Sequence, residues 1–177
     1  MAMPTWTTHI PQVMDTLAET YHGKGAVELG EPFKVLIATV ISQRTREEQT
    51  TLVSRRLFAR YPDAASLADA PVDELQRLLN GSQYPEVKAP RIKEIARILR
   101  DQFGGQVPRT IDDLLALPGV GRKTANRVLL SAFDIAALCV DTHVERTSKR
   151  LGLIGTKVSA ERTRATELPM TEPICRY

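Results

Sequence analysis

The chain has 177 residues, 42% of them apolar and 25% charged, which is enough to bury a core and ordinary for a globular protein. No apolar run is long enough to cross a bilayer and no signal peptide is evident, so a cytoplasmic, nucleoid-associated location is the expectation, with no membrane contact. Two cysteines, Cys139 and Cys175, do not make a disulfide framework, and a net charge of +3 is by itself weak evidence for a nucleic-acid partner.

Residues 4–21 read as a helix with Ile10, Val13, Met14, Leu17 and Tyr21 as its apolar stripe, ended by His22-Gly23-Lys24-Gly25. The segment from Pro32 to Gln43 is apolar nearly all round. Periodicity alone leaves a buried helix and a buried strand equal here, and Pro32 at a first helical position favours the helix. Residues 46–61 form a charged helix whose buried face is Leu52, Val53, Leu57 and Phe58. Pro62-Asp63 opens a short helix through Leu67, and Pro71 opens another, buried through Leu75, Leu78 and Leu79. After the loop Gly81-Ser82-Gln83-Tyr84-Pro85, residues 86–103 make a long helix. Ile92, Ile95, Ala96, Leu99 and Phe103 face inward, and Lys88, Arg91, Lys93, Arg97 and Arg100 lie mainly on other faces.

The stretch Leu117-Pro118-Gly119-Val120-Gly121-Arg122-Lys123-Thr124-Ala125 organises the chain. Before it, Thr110 is placed to cap a helix carrying Ile111, Leu114, Leu115 and Leu117. After it, Ala125, Val128, Leu129 and Ala132 share one helix face. Pro118 stops the first helix. Gly119 and Gly121 permit positive φ and close approach of a partner, with Val120 plugging the groove between the helices. The second helix starts with exposed N–H groups and the positive end of its dipole, which is an anion site. Helix, Gly-x-Gly hairpin and helix together form a grip for a phosphate backbone.

Lys123 stands in the first turn of that helix. It is either a surface lysine on phosphate or, if partly buried, a nucleophile with a lowered pKa. Downstream comes Val140-Asp141-Thr142-His143-Val144-Glu145-Arg146. One reading of this motif is helix capping, by Asp141 or by Thr142 with Glu145 as an S/T-x-x-E box. Local charge would attract a phosphate backbone here, and a solvated helix face is the other reading. Residues 119–150 hold six basic side chains (Arg122, Lys123, Arg127, Arg146, Lys149, Arg150) against three acidic ones (Asp134, Asp141, Glu145).

The run LPGVGRKTANRVLLSAF…VDTHVERTSKRLGL resembles the endonuclease III branch of the helix-hairpin-helix DNA glycosylases, the HhH-GPD superfamily. The resemblance covers about residues 30–153. It implies an all-α fold: residues 1–30 supply a helix of a second lobe, 31–153 form a helical barrel with the hairpin unit at about 111–133, and 154–177 are a shortened C-terminal segment. It implies duplex DNA with a damaged base or abasic site as partner, bound by a monomer. Lys123 matches the family's nucleophile and Asp141 its second catalytic residue. Gly119, Val120, Gly121, Arg122, Thr124 and His143 match DNA-binding positions. The segment also resembles the family's PF-x-x-LIA-x-x-x-S-Q-x-T region, in which Gln43 corresponds to a glutamine that helps fill the gap left by an extruded nucleotide; read without the family, Gln43 is an exposed helix-end residue. The loop that carries a wedge residue in the family offers Gln83 or Tyr84 here.

The implied activity is base excision of oxidised pyrimidines through a lysine Schiff base, followed by cleavage 3′ to the abasic site. Family members bind a [4Fe–4S] cluster through four cysteines, and here only Cys175 stands near that region. No cofactor and no metal are therefore expected, and the second lobe is expected to be incomplete. The alternative is a non-catalytic helix-hairpin-helix DNA-binding module, and after that a purely structural helical protein.

Overall fold

The computed structural model describes residues 30–150 apart from Leu138, together with Gln12, Asp15, Thr16, Glu19 and Thr20. These last five are helical and exposed. The apolar stripe predicted for residues 4–21 and the predicted helix at Ser159–Leu168 lie outside the described residues. The chain divides into two compact units, 29–139 and 1–28 with 140–177. The division falls before Val140, whereas the family resemblance implies a barrel through 153. The helix holding the hairpin stops at Phe133 on a left-handed Asp134, and the described residues from there to Asp141 have no regular structure.

The first unit contains α1 (Pro32–Ser42), α2 (Glu47–Arg60), α3 (Ala64–Asp69), α4 (Val72–Leu78), α5 (Pro85–Phe103), α6 (Ile111–Leu115) and α7 (Arg122–Phe133). The other unit contributes α8 (Thr142–Arg150). Among the described residues the regular structure is helical, with one isolated bridge between Asn80 and Ser82.

Helix α1 is the centre of the first unit. It packs against α2, α5 and α7, and Leu36, Ile37, Val40 and Ile41 are fully buried. A helix walled on several sides has no solvent stripe to preserve, which explains why its sequence lacks amphipathic spacing. Its first residue is Pro32, whose fixed φ suits that position.

Helix α2 places Glu47 and Glu48 at its positive end and Arg60 at its negative end. Val53 and Leu57 are buried, and Phe58 meets Phe33 edge-on. Leu52, predicted to be inward, is 54% exposed, because the face turned to α1 is narrow and runs through Val53, Ser54 and Leu57. Asp63 caps α3, accepting from Ser66 N at 2.8 Å in a reciprocal box. Leu75 and Leu79 anchor α4, and Leu78 is only partly covered.

Helix α5 runs along α3 and α4 and reaches α1, with Ile92, Ile95, Ala96 and Leu99 inside. Lys88, predicted to lie on another face, is buried with the core residues of this helix. Lys93 also turns inward, donating to Ala70 O at the end of α3 (2.8 Å).

Candidate nucleic-acid interface

The hairpin is built by two short-range devices. Thr110 caps α6: its Oγ1 accepts from Asp113 N (3.2 Å) and donates to Asp113 Oδ2 (2.6 Å). Leu114 and Leu117 are buried, which seats the helix on the core. Leu117 O then accepts from Val120 N at 3.1 Å, closing a four-residue turn with Pro118 second and Gly119 third. Gly119 has φ +72°, the requirement of the third residue of a type II turn. Val120 is 5% exposed and belongs to the core cluster, in keeping with a plug between the helices.

Gly121 behaves differently from the expectation. Its φ is −90°, extended backbone, and it is the N-cap of α7. No side chain caps this helix, and Gly121, Arg122 and Lys123 are exposed. With no side-chain cap, the helix start leaves its first-turn N–H groups and positive dipole end open to an outside acceptor. Thr124, matched to a DNA-binding position, is only 8% exposed. Lys123 is exposed, whereas the nucleophile reading takes it to be partly buried.

Gln43 follows the end of α1 and is half-buried, not a plain exposed helix end. Its Nε2 donates to Gly119 O (3.0 Å) and Thr124 Oγ1 (3.4 Å). The residue matched to gap filling is thus tied directly to the hairpin turn. Lys88 completes the end of α1: Nζ donates to Ile41 O (2.6 Å), Gln43 O (2.8 Å) and Thr45 Oγ1 (2.9 Å). Burial pushes this ammonium down to about 8, and the charge of Arg91 adds to the shift. Thr45 Oγ1 also accepts from Gln83 N (3.1 Å), so the candidate wedge loop joins the same turn. Tyr84 in that loop is 49% exposed, with left-handed φ of 57° as it starts α5.

Lys88 and Arg91 were not singled out by sequence. A Cβ on Gly119 would run into the Arg91 side chain, so Arg91 brings a cation against the hairpin turn. The available signal was spacing: residues 88, 92, 95 and 99 share one face of α5.

In the second unit Asp141 is the cap of α8. Its Oδ1 accepts from His143 N and Val144 N, both at 2.9 Å. The alternative Thr142–Glu145 box is not formed, because Thr142 is already helical and the Glu145 carboxylate takes Lys149 Nζ at 2.7 Å. His143 is exposed, and Arg146 Nη2 lies 3.1 Å from its Nδ1. Arginine can only donate, so in this contact Nδ1 is the acceptor.

A [4Fe–4S] cluster needs four thiolate ligands. The chain holds two cysteines, and among the described residues no cluster of three or more His, Cys, Asp or Glu could hold a metal ion. The residues present do not fit the cluster.

Residues 37–170 match the HhH-GPD superfamily base excision DNA repair protein family. Endonuclease III of Thermotoga maritima is 47% identical over 144 residues, which are 81% of this chain and 68% of that protein. A solved trapped endonuclease III–DNA covalent intermediate matches with a TM-score of 0.84 at 35% identity, covering 96% of this chain and 79% of that one. A non-covalent endonuclease III–DNA complex matches at 0.83, with the same identity and coverage. With the family matched over most of its length and the hairpin built as described, the chain belongs to the HhH-GPD superfamily of base excision DNA repair proteins, as an endonuclease III-like DNA glycosylase.

Proposed function

We propose that this protein grips duplex DNA with the α6–α7 hairpin, receives a damaged nucleotide flipped from the stack, and removes its base with Lys123 as nucleophile. One observation carries the reading: 96% of the chain matches an endonuclease III caught in a trapped covalent intermediate with DNA. Lys123 stands exposed in the first turn of α7, where an attacking amine can meet DNA held at the same helix end.

Lys123 Nζ forms a bond to the sugar C1′ while the bond from C1′ to the base breaks. The base leaves with the electron pair and takes up a proton. Asp141 accepts a proton from the lysine and offsets positive charge on the sugar. The sugar ring opens to a Schiff base between C1′ and Nζ. Loss of a C2′ proton then expels the 3′ phosphate, and water releases the lysine. Gln43 helps fill the gap in the duplex, and Gln83 or Tyr84 acts as the wedge. Oxidised or ring-saturated pyrimidines are the substrate class, on the family resemblance, and the protein works as a monomer without an iron–sulfur cluster.

Borohydride added to the protein and abasic-site DNA tests this. A covalent complex is expected, lost in Lys123→Ala without a change in melting temperature. Asp141→Asn keeps an oxygen for the α8 cap but removes the charge, so base excision is expected to slow by about a hundredfold or more at unchanged melting temperature. A folded, DNA-binding wild type that traps nothing would leave a non-catalytic binding module as the better description. An Asp141→Asn protein as fast as wild type would reduce Asp141 to a cap.

A further inference from the structure

The last carbonyls of a helix have no partner within it. At the end of α1 this demand converges on one point. Ile41 O, Gln43 O and Thr45 Oγ1 all accept from Lys88 Nζ, so the three N–H donors of one ammonium are used. Lys88 is 3% exposed, and its partners are dipoles, with no carboxylate among them. A buried cation held this way is costly, and an apolar side chain of similar length would fill the same space. What the cation adds is a fixed three-point geometry.

Two of those three points lead outward. Gln43 continues through Nε2 to Gly119 O of the hairpin turn. Thr45 Oγ1 is shared with Gln83 N, at the base of the loop that exposes Tyr84. One amino group therefore fixes the Gln43 turn relative to the Gln83–Tyr84 loop. We infer that Lys88 is a positioning residue for lesion recognition: it holds the gap-filling glutamine and the wedge loop at a set separation, so that both enter the duplex together. Lys88 acts through Gln43 and Thr45. The inference rests on the DNA-facing roles proposed above for Gln43 and the loop.

The test is a double-mutant cycle read by binding, which needs no catalysis. Affinity is measured for a duplex bearing a tetrahydrofuran abasic analogue and for the intact duplex of the same sequence. The proteins are wild type, Gln43→Ala, Lys88→Met and the double variant. Lys88→Met is expected to lower the preference for the analogue about tenfold while intact-duplex affinity stays within about twofold; with Gln43 already removed, it should cost less than about threefold. Thr45→Val severs the link shared by Lys88 and Gln83. It is expected to show the same dependence on Gln43, and it carries the test if Lys88→Met does not fold. A purely structural lysine would lower melting temperature and reduce the preference by the same factor with or without Gln43, which overturns the inference alone. So does a preference that both variants leave intact. If wild type has no preference for the analogue, the DNA-facing roles fall and this inference falls with them.

Discussion

Gly119 and Gly121 flank the same buried valine and do different work. Gly119 needs its left-handed φ of +72°, and any Cβ there meets Arg91. Gly121 is extended at φ −90°, with open space where a side chain would go. The two substitutions should therefore separate. Gly119→Ala is expected to cost about 1–2 kcal/mol in urea unfolding, from the left-handed conformation alone. Gly121→Val should lose no more than about 1 kcal/mol, from the less favourable N-cap, yet bind every duplex more weakly, because its side chain fills the space that the proposed phosphate grip needs. Wild-type binding is expected to weaken steeply with salt, as a phosphate grip requires. The motif made both glycines visible, but spacing could not tell which one carries the turn and which one opens the helix. The same holds for Asp141. Its position announced a cap and the family resemblance a catalytic residue, and the cap seen on Oδ1 is compatible with both.

At the scale of elements, Lys88 links packing to pH. Its ammonium is pushed down to about 8 from the ordinary 10.5 by burial, with Arg91 adding. Below about 8 both folded and unfolded chains hold this proton, and the cost of burying the charge is fully present. Between about 8 and 10.5 the unfolded chain holds more of it, so this group makes stability rise with pH across that window. Lys88→Met has nothing to titrate there. The stability difference between wild type and Lys88→Met is therefore expected to move in favour of wild type as urea unfolding is repeated from about pH 7 to 10.5. A difference that stays flat would remove the buried charge from the account.

Most of α2 to α7 was legible because their apolar stripes follow helical spacing. α1 has no such stripe, since enclosure on several sides erases what distinguishes a helix from a strand, and Pro32 at its first position was the signal that favoured the helix. Lys88 was misread because charge outweighed its position: residue type suggested solvent, while spacing put it on the face of Ile92 and Leu99. The oxygens that call for it lie more than forty residues away in sequence, at the end of another helix. Leu52 is the converse case, an apolar residue beside the stripe that the neighbouring helix does not reach.

At the scale of the molecule, cysteine count governs what metal chemistry these residues support. Protein purified without oxygen is expected to contain neither stoichiometric iron nor acid-labile sulfide, and to lack the visible absorbance of an iron–sulfur cluster. Finding all three would overturn this. The hairpin and the motif with Asp141 were readable as separate stretches because each is a continuous run of the sequence. That the chain divides between them was not, because the break depends on where packing stops, and no single residue in 134–141 marks it.

The central place of α1 also sets a timetable for synthesis. Its partner α7 begins roughly ninety residues later, a delay of about 5–18 s at a translation rate of 5–20 residues per second. Throughout that interval the most apolar helix of the unit lacks one of its walls. A ribosome-stalled chain ending before Arg122 is therefore expected to recruit a holdase chaperone through Leu36, Ile37 and Val40. A chain stalled further on, with α7 clear of the exit tunnel, should release it.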